Sequence, residues 1–246
     1  MKKLACLLSL LFLVVSSIRA QDQVYELRMY ELEFFRPAEV LHSYFEDALI
    51  PALNRQGVSN VGAFEEIGES LPKKIYLLIP YKDITSFQNS SSELSTDEAY
   101  QQAASPYLTS GQDMIPYKRI NVSLIHSTES FPELQVPADP GLFELRIYES
   151  HNEDALRRKL KMFESEFNIF EDAGLSMVFF GKNITGDQMP CLTYMLATAD
   201  MEENKKGWAN FVEHPQWKKL LAMEEFKNSM SDITRVFLKP LNYSQL

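Results

Sequence analysis

The sequence predicts an α+β protein made of two tandem ferredoxin-like βαββαβ units, whose four-stranded sheets pack face to face. Three observations predict it. The strand-like stretch "YELRMYEL" beginning at Tyr25 is written again as "FELRIYES" from Phe143. The same order of elements follows each copy. Between the copies, "FPELQVPADPG" carries Pro132, Pro137 and Pro140 without periodicity, the composition of a linker at 130–140. A βαββαβ unit covers one sheet face with helices and leaves the other bare. Duplication lets two bare faces meet within one chain.

The elements justify themselves in order. "VYELRMYEL" alternates as a strand should. Pro37 opens a helical stretch, where its missing N–H costs little, and Gly57 closes it. Leu41, Phe45, Ala48 and Ala52 share one face of that helix. "VSNVGAFEEIG" and "KIYLLIPYK" read as two strands, a polar helical segment covers 83–108, and "YKRINVSLI" closes the first unit at 21–129. In the second unit, 141–246, a helix over 153–172 stops at Gly174. Its apolar positions Leu156, Leu160, Phe163, Phe167 and Phe170 form an amphipathic stripe. "LSMVFFGKN" and "CLTYMLATAD" supply the middle strands, with Tyr194 placed as the counterpart of Tyr76. A second helical region, broken at Pro215, leads to the last strand, "ITRVFLKP".

Residues 1–20 read as a secretory signal peptide: a basic start, an apolar run from Leu4 to Val15, and small residues before a cleavage after Ala20. The run is shorter than the roughly 20 residues a membrane span needs. The expected product is exported, periplasmic or extracellular. The net charge is −10, and the longest run of Lys or Arg is the three residues Arg157-Arg158-Lys159, which argues against nucleic acid or an anionic membrane as a partner. Cleavage leaves Cys191 alone, so no intramolecular disulfide is expected; a small residue entering a buried strand accounts for it. No metal-ligand spacing, Gly-rich phosphate loop or GxSxG elbow appears, and neither metal nor cofactor is expected.

Alternate residues of a strand share a face. With Leu27, Met29, Leu145 and Ile147 assigned to the helices, Glu26, Arg28 and Tyr30, and likewise Glu144, Arg146 and Tyr148, are expected to face the opposite sheet inside the barrel. Buried charges need partners. Two readings stay open there: a Glu–Arg ladder that sets how the sheets meet, or a cavity binding a small acidic or aromatic ligand. Tyr194, His214 and Trp217 complete the set of cavity candidates. His214 precedes Pro215, so a capping role competes with acid–base or axial-ligand chemistry. Trp208, Phe211 and Trp217 are spaced like core anchors.

The "YELRxYE" strand, the amphipathic helix ending at glycine, the "LxYML" strand and the "W-x-x-F-x-x-H-P-x-W" run from Trp208 to Trp217 resemble the NIPSNAP family, of the dimeric α/β-barrel superfamily. The resemblance extends over 24–240 as two tandem domains. It is weaker in the first copy, where "SFQNSSSELSTDEAY" stands in place of the Trp/His-Pro-Trp run. The ending "KPLNYSQL" resembles exported bacterial members. The resemblance implies an intrachain dimeric α/β barrel, as a monomeric pseudodimer or a homodimer. Three functions compete: an exported small-molecule-binding barrel; a cofactor-independent monooxygenase or haem-handling enzyme; and a protein-interaction module. The enzyme reading uses Arg146, Tyr148, His214 and Trp217 and requires His214 to point into the barrel.

Overall fold

The computed structural model describes residues 22–138 and 140–246. The expected signal peptide lies outside the described residues, so nothing in them supports it or the export expected from it. The first half runs β1 (Val24–Leu32), α1 (Glu39–Ser43), a π-helical turn (Tyr44–Leu49), α2 (Ile50–Arg55), β2 (Gly62–Glu66), β3 (Lys74–Tyr81), α3 (Ile84–Thr96), α4 (Glu98–Leu108) and β4 (Tyr117–Ser127). The second runs β5 (Leu142–Glu149), α5 (Glu153–Glu164), α6 (Phe167–Ala173), β6 (Ser176–Thr185), β7 (Cys191–Thr198), α7 (Met201–Glu213), α8 (Pro215–Leu221) and β8 (Asp232–Pro240). The stops lie where turn chemistry puts them. Gly57 and Gly174 take the left-handed conformation, at φ +85° and +81°, which costs a residue without Cβ little. Asn152, Asp83, Asp97 and Asp200 cap helices through their side chains.

The expected architecture of two tandem sheets packed face to face is corrected by the strand pairing. All eight strands form one closed antiparallel barrel in the order β1-β3-β2-β8-β5-β7-β6-β4. β2 pairs with β8 through Phe64↔Pro240 to Glu66↔Leu238, and β4 pairs with β6 through Leu124↔Thr185 to Ser127↔Gly181. Two separate sheets would each present two edges of unpaired N–H and C=O groups. Closure removes every edge. The helices flank this single barrel, and a dimeric barrel of two tandem ferredoxin-like domains does not describe it.

The barrel encloses an apolar cluster. Tyr25, Leu27, Phe64, Tyr76, Phe143, Leu145 and Phe179 belong to one buried cluster drawing on strands of both halves. Tyr25 meets Phe179 at 5.0 Å between ring centroids, and Phe64 meets Phe143 at 4.7 Å. Two further cores lie between the barrel wall and the helices: one joins Tyr30, Ile75 and Leu77 to Leu41, Phe45 and Tyr100, the other joins Tyr148, Phe180 and Tyr194 to Leu156, Phe163, Phe170 and Phe211. Both faces of the central strands are therefore buried, each against a different layer. Among the described residues, no helix is long and apolar enough to cross a membrane.

Candidate functional site

The strand parity is the reverse of the expectation. Leu27 and Leu145 point into the barrel, and Glu26, Arg28, Tyr30, Glu144, Arg146 and Tyr148 lie on its outer wall, beneath the helices. The apolar ring cluster inside the barrel offers these carboxylates no donor, whereas Asn204 and Trp208 of α7 bring donors to Glu144 on the outer wall. A buried charge settles where its partners are.

In the first half the pair closes on itself. Arg28 donates from Nε and Nη2 to the two carboxylate oxygens of Glu26, at 2.7 and 2.9 Å. Tyr81 adds a longer hydrogen bond to Glu26 at 3.3 Å. Tyr30 packs edge-on against Phe45 and Tyr117. The neighbour of Arg28 on β4 is Val122.

The second half breaks that symmetry. Glu144, whose side chain is 0% exposed, receives Arg146 Nη1 on Oε1 at 2.7 Å. Its Oε2 is taken by helix α7, with Asn204 Nδ2 at 2.8 Å and Trp208 Nε1 at 2.7 Å. The bidentate fork of the first half cannot form here, and Arg146 Nε is left buried with no hydrogen-bond partner. A buried donor without an acceptor costs about 1–3 kcal/mol. The guanidinium carbon of Arg146 lies 4.2 Å from the Trp208 ring centroid and 5.3 Å from that of Tyr148. Its cross-strand neighbour on β8 is Arg235, exposed and 3.9 Å from Glu144 Oε1. The result is a buried cation on an aromatic plate, with one unused N–H and a second cation at its rim.

Helix geometry sets this up. Asp200 caps α7 by accepting from the Glu202 and Glu203 amides, at 2.8 and 2.9 Å. Asn204 and Trp208 stand four apart, on one face. Gly207 lets that helix lie close, since a Cβ there would come within 2.6 Å of Leu175.

Beyond Arg146, the Tyr194 hydroxyl donates to the Tyr148 hydroxyl at 2.7 Å, and burial pushes both phenols above their ordinary range. Tyr194 is not the counterpart of Tyr76. Arg146 pairs with Tyr194 whereas Arg28 pairs with Leu77, so the repeat slips by one residue on this strand. Tyr76 consequently faces the barrel centre, because a one-residue slip changes the face. Deeper still, Lys159 and Glu166 form an ion pair at 2.6 Å, 1% and 2% exposed. Lys159 Nζ is 5.3 Å from the ring centroids of Tyr148 and Phe163 and 5.8 Å from that of Trp217.

Trp217 joins this layer and packs tilted against Phe211, 4.8 Å between ring centroids. His214 does not. It caps α8, its Nδ1 accepting from the Gln216 amide at 3.3 Å, and its Nε2 lies 3.4 Å from Asp172. The condition that the enzyme reading set for His214, that it enter the barrel, is not met. Asn204, Lys159, Glu166 and Arg235 belong to the arrangement and were absent from the sequence expectation. The available signal was that Lys159 and Glu166 interrupt the apolar face of the α5–α6 region.

A NIPSNAP family model matches residues 143–245, the half that contains the asymmetric site. This is one match, and it corrects the expectation of two tandem NIPSNAP-like domains. No protein of curated function matches the chain. Among solved structures, the chain is similar to a putative monooxygenase from Lactobacillus acidophilus: TM-score 0.60, 11% identity, over 89% of this chain and 94% of that one. It is also similar to a putative monooxygenase from Fusobacterium nucleatum: TM-score 0.57, 14% identity, over 90% and 93%. A third likeness is to an anthrone oxidase-like protein: TM-score 0.50, 6% identity, over 92% and 94%. At these identities the likeness establishes a shared fold. On that fold, the chain carries a buried cluster of acidic and aromatic residues.

Proposed function

We propose that the protein is an enzyme of the monooxygenase type, acting on a small planar aromatic ketone or phenol whose anion is bound at Arg146. The observation that carries this reading is the unused Nε–H of buried Arg146, held against the Trp208 ring. A fixed donor in a low-dielectric site stabilises an oxyanion far better than water does. An aromatic ring on Trp208 would direct its oxygen to that donor, entering over the outer face of β8 past Arg235. Likeness to two putative monooxygenases and an anthrone oxidase-like protein supports the reaction class.

For an anthrone-type ketone, loss of a ring methylene proton to solvent yields an aromatic enolate whose oxyanion Arg146 holds. The substrate itself supplies the electrons. Its carbanion carbon bonds to dioxygen, a proton completes a hydroperoxide, and the O–O bond then breaks as the remaining C–H is lost. In balance, one ring methylene and one dioxygen give one ring carbonyl and one water.

An oxygen electrode tests this with anthrone as substrate. Expected is one dioxygen consumed per quinone formed, with activity lost in Arg146→Gln and largely retained in Arg28→Gln. No catalysed uptake, or full activity in Arg146→Gln, would overturn the assignment.

A further inference from the structure

The barrel interior is a cup. At one end the Tyr25, Phe64, Phe143 and Phe179 rings fill the lumen. Leu134 joins them from the segment between the halves, and Leu246 packs on them from the chain's C-terminal end. That last segment is strapped down: the Leu241 and Gln245 amides donate to the Ala63 and Val61 carbonyls at 2.9 and 3.0 Å. The Val61 amide in turn donates to the Gln245 side chain at 2.9 Å. The other end is hollow, with a cavity of about 190 Å³ floored by Leu27, Tyr76 and Leu145.

The wall above this apolar floor is polar. Asn121, Ser123, Asn183 and Thr234 line it, with Lys74 and Asp187 as its two charged members. Among the described residues, the side chains of Asn121, Ser123 and Asp187 make no hydrogen bond or ion pair. Asn183 spends only its carbonyl, on Thr193 Oγ1 at 2.7 Å. Thr234 accepts from Gln188 at 2.7 Å and keeps its own hydroxyl proton to give. Lys74 holds Glu66 at 3.1 Å, and an ammonium has three donors. Inward-facing amides and hydroxyls gain nothing for a barrel core; they favour a bound molecule that supplies both donors and acceptors.

The charges narrow the class. The lining is net neutral, one cation and one anion, and their elements, β3 and the β6–β7 turn, are three to four strands apart around the ring of eight. Opposite charges across one mouth match a ligand that is itself doubly charged and neutral. At about 30 Å³ per water, the cavity has room for about six waters, the size of a small amino acid.

We propose that this mouth is a binding site for a small zwitterionic amino acid between alanine and valine in size. Its carboxylate meets Lys74, its ammonium meets Asp187, and its side chain rests on Leu27 and Leu145. The site is separate from Arg146, which lies on the other side of the barrel wall, and the inference does not depend on the monooxygenase reading.

Isothermal titration calorimetry on the full chain tests it, with alanine and valine as probes and propionate, propylamine and glycerol as controls. Saturable binding of the amino acids is expected, at least about tenfold tighter than either half-molecule. It should weaken about tenfold in Asp187→Asn and remain unchanged in Arg146→Gln. Asn121→Leu, which fills the mouth, should abolish it. The proposal is overturned by no saturable heat at about 10 mM probe, by amino acids binding no better than propionate or propylamine, or by both mouth variants binding like wild type.

Discussion

Replacing Glu144 by leucine should be far more damaging than the same change at Glu26, and the structure sets the size of the difference. Glu144 is 0% exposed and serves three donors, from Arg146, Asn204 and Trp208. Its loss strands a guanidinium whose side chain is only 10% exposed. Leaving a buried charge unpaired costs about 3–5 kcal/mol. At Glu26 the stranded partner, Arg28, is 21% exposed and can turn toward water, so a cost of about 1–3 kcal/mol is expected, that of one lost partner. The double variant Glu144→Leu/Arg146→Met removes the stranded charge and should recover at least about 2 kcal/mol over Glu144→Leu alone, since a buried pair exchanged whole for apolar groups is nearly neutral. Urea unfolding followed by circular dichroism and extrapolated to water measures all of these, with the single variants completing a double-mutant cycle. A Glu144→Leu cost under about 1 kcal/mol, or no coupling in the cycle, would refute the claim that Arg146 is a desolvated cation dependent on this carboxylate.

Other consequences follow from particular contacts. Cys191 is 1% exposed and burial pushes its thiol up to about 12. A thiol reagent should therefore label the Cys191 peptide only in denaturant, and rapid labelling of native protein would contradict that burial. Burial also pushes the Glu166 carboxyl up, against the pull of Lys159. The native state thus holds this proton more tightly than the unfolded chain, so the group's contribution to stability is full below its ordinary pKa of about 4.5 and is lost as pH rises through the native value. Thermal melts across that window should fall less steeply for Glu166→Gln than for wild type; parallel curves would count against the shift. Gly181→Ala places a Cβ 2.4 Å from the His126 carbonyl oxygen, at the β4–β6 seam. It should cost about 1–3 kcal/mol and speed amide exchange in both strands, and unchanged exchange would mean that the seam does not close the barrel tightly.

Strands and helix stops were legible because alternation and left-handed glycines are local. Gly57 and Gly174 end helices where the sequence implied. Closure was not legible: the β2–β8 seam rests on three residue pairs between distant segments, with no periodic signature. The facing of Glu144 and Arg146 failed for a different reason. A strand buried on both faces carries apolar residues on each, so Leu145 and Arg146 look equally placed for either layer. What decides is where the donors for Glu144 stand, and helix α7 carries them, in Asn204 and Trp208. Reading those two as partners for the strand's carboxylate would have oriented it correctly. The asymmetry between halves was partly legible, because the Trp/His-Pro-Trp run occurs only in the second. Its consequence for Arg146 Nε depends on how α7 docks over β5 and takes Glu144 Oε2.

The central claim is that Arg146 presents a free donor to an anionic oxygen. The most direct test is the ionisation of a bound chromophore, a hydroxyanthraquinone titrated by absorption in complex with wild-type protein and with Arg146→Gln. The account predicts that binding lowers the phenol pKa in wild type by at least one unit, about 1.4 kcal/mol of preference for the anion, and that the shift disappears in Arg146→Gln. A bound phenol that titrates as it does in water, or equally in both proteins, would contradict it.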